Sequence, residues 1–182
     1  MVHEKISTYE IKENDVFIVD TNVWIFLLNI STLPVEQYII DKYSLFIEKI
    51  KEKDNKIVIL SMSISELFNR YIKSCAHFSL NLRGIKGGNV YKTHYRDTTL
   101  YEKDKKFIID NIRDNILPLA EPISDNLNLL DIEKVLNRTR KNYDFNDNYF
   151  ACFAEKFNYK IITHDFDFIK TYNDLNFTVI TA

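Results

Sequence analysis

Glycine is nearly missing from this chain: Gly84, Gly87 and Gly88 are the three in 182 residues, all within five positions. Average usage of about 7% would give roughly a dozen. The shortage excludes two common phosphate-holding devices. A Walker A loop needs G-x-x-x-x-G-K-[ST], and a dinucleotide-binding turn needs G-x-G-x-x-G after a strand. Neither spacing occurs. If the chain handles phosphates, it needs another device, such as a metal. Cysteine is scarce too. Cys75 and Cys152 make no disulfide framework and fall in apolar helical patterns, which predicts buried, reduced thiols in a cytoplasmic protein. The longest apolar stretch, Val16 to Ile30, is interrupted by Asp20 and Asn22 and is too short and too charged to span a bilayer. The opening MVHEKISTYE shows no signal-peptide pattern. A net charge of −2 gives no global sign of a nucleic-acid partner.

What remains is ordinary in composition, with 46% hydrophobic and 27% charged residues. That length and balance suit one soluble domain with a real core. Four short apolar runs predict strands: Val16–Val19, Ile57–Leu60, Lys160–Thr163 and Phe177–Ile180. Amphipathic patterns between them predict helices. The cleanest carries Ile64, Leu67, Phe68, Tyr71, Ile72, Cys75 and Phe78 at helical spacing. Order is predicted to weaken from about Ser79 to Thr99, and Pro118 and Pro122 bound a short extended piece. Strands alternating with helices imply a parallel sheet covered on both faces. Ligands of such sheets bind outside the carboxyl ends of the strands.

Those ends are acidic. Val16–Val19 is followed by Asp20, and Ile57–Leu60 by Ser61 and, a turn later, Glu66. Lys160–Thr163 is followed by His164 and Asp165. A helix opens at Asn146-Asp147, with Asp144 three residues before Asp147. Asp20, Glu66, Asp147 and Asp165 thus belong to one side of the predicted sheet. Four carboxylates brought together repel, and one or more must take up a proton unless a cation joins them. Hard Mg²⁺ or Mn²⁺ prefers such oxygen ligands, and no His/Cys cluster stands at zinc spacing. Each acid also has a plainer reading. Asp20 could end a strand and cap a helix, Ser63-Ile64-Ser65-Glu66 fits a capping box, and Asp147 could complement the helix dipole. Asp144 could be an N-cap or an outer-shell group. Asp167 competes with Asp165 or caps a helix. His164 could contact phosphate or simply be solvated, and Trp24 reads as core.

The ordered set resembles the PIN-domain nucleases, VapC-like toxin ribonucleases among them. The matching pieces are Ile18-Val19-Asp20-Thr21-Asn22, Ser63-Ile64-Ser65-Glu66-Leu67, the helix from Asp147 to Ala154, and Ile161-Ile162-Thr163-His164-Asp165-Phe166-Asp167-Phe168. The resemblance covers the chain from about residue 16 onward, apart from 79–115. It implies a PIN-like three-layer α/β sandwich, with a central parallel sheet of four or five strands flanked by helices. It implies a Mg²⁺- or Mn²⁺-dependent endoribonuclease acting on single-stranded RNA. Asp20, Glu66, Asp147 and Asp165 then serve as catalytic metal ligands. Thr21 or Asn22, and Thr163, orient carboxylates or water, with Asp144 and Asp167 in support. Relatives of VapC type imply an antitoxin protein partner, a homodimer and no membrane. The chain departs from the pattern in its length, in the 79–115 insertion within a single 1–182 domain, and in His164, where a basic residue is common.

That insertion is charged. Between Arg70 and Arg113 lie ten Lys or Arg and four acids, so the segment is +6 and the remainder −8. Arg83, Lys86, Lys92 and Arg96, interleaved with Tyr91 and Tyr95, suit phosphate contact and base stacking. The plain alternative is a solvated basic face. All three glycines fall here, which predicts a mobile basic loop closing on the substrate. Two other functions compete: a non-catalytic α/β module that binds RNA or protein, and a DNA nuclease of related fold. A phosphotransfer enzyme with Asp20 as nucleophile lacks the usual second Asp two positions on, where Asn22 stands.

Overall fold

Each apolar run becomes a strand because both of its faces can be covered. The computed structural model describes residues 1–31, 34–87, 90–139 and 144–182, with the backbone alone at 167 and 169. Its sheet contains β1 (Val2–Lys5), β2 (Val16–Val19), β3 (Lys56–Ile59), β4 (Glu121–Pro122), β5 (Lys160–Ile162) and β6 (Thr178–Thr181). Their order is β1-β6-β5-β2-β3-β4, and every neighbouring pair is parallel. The sheet therefore has six strands among the described residues, against an expected four or five. The additions are its two edges. β1 reads VHEK and is mostly exposed, and β4 is two exposed residues ending at Pro122, so neither carries an apolar signal. Proline is tolerated there because an edge strand needs no donor on its open side.

Side chains alternate across the sheet as a strand requires. Phe17, Val19, Ile57, Ile59, Ile162 and Ile180 join one buried cluster, while Ile18, Val58, Ile161 and Val179 join the other. The first cluster is covered by α1 (Thr21–Leu27), α2 (Gln37–Glu52), α3 (Ser61–Leu82) and α4 (Thr99–Asn111). The second is covered by α5 (Ile132–Thr139), α6 (Phe145–Phe157) and α7 (Phe166–Thr171). This is the three-layer α/β sandwich. Trp24 is core, at 1% exposure. From β2 the chain steps to β3 and β4, then returns to place β5 on the other side of β2. Strand order reverses between β2 and β5, and that reversal opens the crevice in which such sheets hold ligands.

Helical order extends further into the basic segment than its sequence suggests. α3 continues to Leu82, Lys92–Arg96 form a π-helical turn, and α4 follows at Thr99. Tyr95 is the anchor. It is fully buried, its hydroxyl donates to Asp104 Oδ2 at 2.7 Å, and its ring meets Tyr91 and Tyr101. Thr98 caps α4 by accepting from the Tyr101 N–H. α4 then lies on α3, with Phe107 stacked on Tyr71 at 5.5 Å. Gly84 and Gly87 adopt positive φ just beyond α3, where glycine is favoured. Gly88 lies outside the described residues. Phe78 departs from the expected stripe on α3. It is 65% exposed, and Ala76, Ser79 and Leu80 continue the buried face instead. Among the described residues no helix is long and apolar enough to cross a membrane.

Tyr95 gives a direct stability test. Replacing Tyr95 by Phe removes a hydrogen bond to a carboxylate and is expected to cost about 1.5–3 kcal/mol. Truncation to Ala adds a cavity and should cost about 3–5 kcal/mol. Urea unfolding measures both. A Tyr95→Phe protein as stable as the parent would show that the bond contributes nothing.

Candidate active site

The crevice between β2 and β5 is closed by one carboxylate. Asp20 follows β2 and its N–H donates to Ile162 O, continuing the pairing with β5. It occupies the N-cap position of α1, but its side chain makes no cap hydrogen bond. Asp20 Oδ2 instead accepts from Thr163 Oγ1 at 2.7 Å and from Asn22 Nδ2 at 3.1 Å. The Thr163 hydroxyl also accepts from the Asp165 N–H at 3.0 Å, which fixes the turn after β5. Thr163 and Asn22 are therefore the groups that orient Asp20. The buried Thr21 hydroxyl has no hydrogen-bond partner, and Thr21 acts on the Asp20 carboxyl through its backbone instead.

Glu66 sits in the second turn of α3. This helix starts at Ser61, ahead of Ser63, so Glu66 is not part of a capping box. The first turn is held by Asp125, which accepts from the Ser61 N–H at 3.1 Å and from its hydroxyl. Glu66 faces Arg70 and Asn146, each donating at 3.5 Å, the outer limit of a useful contact. Asp144 is the N-cap of α6, accepting from the Asn146 N–H at 2.7 Å. Asp147 occupies the first turn of that helix. The side chain of Asp167 lies outside the described residues.

Electrostatics ties these groups together. Burial raises the Asp20 carboxyl above its ordinary range, against the pull of Thr163, Asn22 and Arg70. Glu66 is raised by burial and then by the charge of Asp20. Asp147 is pushed up to about 7 by burial, with Asp20, Asp144, Asp165 and Glu66 all adding repulsion. The other acids expected from sequence thus all lie within electrostatic reach of Asp147. They do not close into a ligand shell: among the described residues no three His, Cys, Asp or Glu side chains are grouped to hold a metal ion.

No family model and no curated protein matches the chain. Solved structures do. A chain of VapBC2 from Rickettsia felis, crystallised with a DNA fragment from its promoter, aligns at 16% identity over 91% of this chain and 98% of its own, with a TM-score of 0.56. FitAcB from Neisseria gonorrhoeae aligns at 14% identity over 90% and 96%, with a TM-score of 0.51. The chain has the PIN-domain fold.

Around this PIN-fold crevice, sequence reasoning missed four supporting residues. Arg70 is the cation acting on both Asp20 and Glu66. Its spacing of four from Glu66 on a helix was the available signal. Asn146 adjoins Asp147 in sequence and reaches Glu66 in space. Tyr43 of α2 donates to Thr163 O at 2.8 Å and lies 3.1 Å from His164 Nδ1, and Asp125 comes from a loop; neither is foreshadowed by spacing. His164 is half-buried, not a freely solvated side chain. Its ring meets Phe26, Tyr43 and Phe166, and burial lowers its pKa.

Of the basic-segment residues, Arg83, Lys86, Lys92 and Arg96 are exposed and Tyr91 is half-buried. Arg83 donates to His94 O at 2.9 Å. Tyr95 is buried beneath them and offers no face to a base, which corrects its expected stacking role.

The raised Asp147 carboxyl predicts a pH dependence. Below the usual 3.8 the group is protonated whether folded or unfolded, and it has no effect on stability. As pH rises from there to about 7, the unfolded chain is ionised while the fold holds the proton, so stability falls. Above that the full repulsion is present. In metal-free protein, Asp147→Asn should raise Tm more at about pH 8 than at about pH 4. An equal gain at both would show that Asp147 is not held in a repulsive site.

Proposed function

We propose that this chain is a metal-dependent endoribonuclease, the toxin of a type II toxin–antitoxin pair in the cytoplasm. In this reading residues 1–182 form one PIN-like nuclease domain, with 79–115 as its insertion. One observation carries it: burial raises Asp20, Glu66 and Asp147 together, the charge of Asp20 raises the latter two further, and Asp165 adds to the repulsion on Asp147. Such perturbed acids in a crevice mark functional sites. The donor set fits Mg²⁺ or Mn²⁺, since it offers hard oxygens, excess negative charge and one nearby guanidinium. Glu66's two loose contacts are readily exchanged for a metal–oxygen bond. When bound, the metal supplies positive charge for the phosphodiester and lowers the pKa of a coordinated water.

The chain's own groups do the positioning. Thr163 and Asn22 hold Asp20 Oδ2. Asn146 and Arg70 hold Glu66 across from it. Arg70 moderates the repulsion while the site is empty of other cations. The exposed Arg83, Lys86, Lys92 and Arg96, with Tyr91, serve as a further phosphate-contacting surface. The fold shared with VapBC2 and FitAcB supports an antitoxin partner, and a homodimer is part of the same proposal.

Purified protein is expected to cut single-stranded RNA with Mg²⁺ or Mn²⁺. Asp20→Asn and Glu66→Gln should each reduce the rate by at least about a hundredfold. Undiminished cleavage by Asp20→Asn, or cleavage in EDTA, would overturn the mechanism. Preference for DNA would favour the related DNA nucleases.

A further inference from the structure

A cleft of about 700 Å³ adjoins the acidic crevice through Asn22, which binds Asp20, and Arg70, which faces Glu66. Asn22 and His164 stand at the shared end. One wall is α3, with Arg70, Lys73 and His77 all exposed along it. Arg70 and His77 are seven residues apart, nearly two full turns, so they share a helix face about 10 Å long. Lys73 lies one turn from each. The opposite wall is apolar and half-buried, made by Ile25 and Phe26 of α1 and Ile39 of α2. Among the described lining residues Glu36 is the one carboxylate. The cleft therefore pairs a cationic side with an apolar side.

A duplex presents phosphates outward and hides its bases. A single strand presents both together, and aromatic or apolar surface can take its unstacked bases. We propose that this cleft binds a single-stranded polynucleotide. Arg70, Lys73 and His77 contact successive phosphates, and Ile25, Phe26 and Ile39 receive the bases. The proposal rests on the nuclease reading for its direction: the strand leaves the acidic crevice past Asn22 and His164 and continues along α3. Arg70 has two neighbours in this arrangement, Glu66 on the catalytic side and the entering phosphate on the other.

Fluorescence anisotropy with a short labelled oligouridylate tests this, without metal, on the full chain. The double variant Lys73→Glu/His77→Glu should lose at least tenfold in affinity and flatten the log–log salt dependence by about 0.7, the share of the one phosphate that Lys73 neutralises on a single strand. Both positions are exposed, and an unchanged thermal melt confirms folding. Lys49→Glu/Lys156→Glu makes a similar charge change away from the cleft and should bind within twofold of the parent. Unchanged affinity in Lys73→Glu/His77→Glu overturns the proposal, as does equal affinity for a blunt duplex. Loss of binding in that variant, with no cleavage by the parent in Mn²⁺, would sink the nuclease reading and leave the cleft standing. Cleavage by the parent with indifference to Lys73 and His77 would do the reverse.

Discussion

The hydrogen bond from Thr163 to Asp20 joins the two strands between which the sheet changes direction. On one side of it the chain has run outward through β3 and β4. On the other it has come back to β5 and will continue to β6. Both residues sit one step past the last paired residue of their strands, where the crossover helices diverge and leave a gap. A threonine there can accept from the backbone of its own turn and donate to the carboxylate opposite. That single hydroxyl thus sets the geometry of the β5–α7 turn and the orientation of Asp20 together. The remaining acids are placed relative to it by α3 and α6.

The two clusters on either face of the sheet provide the stability that such a site consumes. Burying apolar surface contributes roughly 25 cal/mol per Å², and residues such as Phe17, Ile59, Phe153 and Ile180 are essentially inaccessible. Against this stands a pole where like charges are crowded and partly desolvated. Natural proteins commonly tolerate such strain at functional sites because the surrounding core over-determines the backbone. Arg70 eases the conflict without removing it, since its contact with Glu66 is long and 43% of its side chain is exposed.

Much of this arrangement was legible in the sequence. Val16–Val19 and Lys160–Ile162 announce themselves because strands covered on both faces must be apolar throughout. Asp20 stands out because a charge directly after such a run has no reason to be in a core. The 79–99 stretch was misread because one buried tyrosine, with a carboxylate partner nine residues later, organises a segment that otherwise looks polar. The capping-box alternative at Ser63 fails for a related reason. The donors of the first turn of α3 are met by Asp125, over sixty residues away, so the helix begins earlier than its local pattern requires. Edge strands were invisible because they bury too little to need a pattern.

Tyr43 carries a consequence for proton placement. Its hydroxyl has one hydrogen and three neighbours: Thr163 O at 2.8 Å, His164 Nδ1 at 3.1 Å and the Ala182 N–H at 3.2 Å. The carbonyl can only accept and the amide can only donate. With its hydrogen given to Thr163, the hydroxyl must receive from both Ala182 and the imidazole. His164 then carries its proton on Nδ1, and in the neutral ring favoured by burial Nε2 is left as a bare lone pair. A tyrosine in the second helix thereby selects the tautomer of a histidine after the fifth strand.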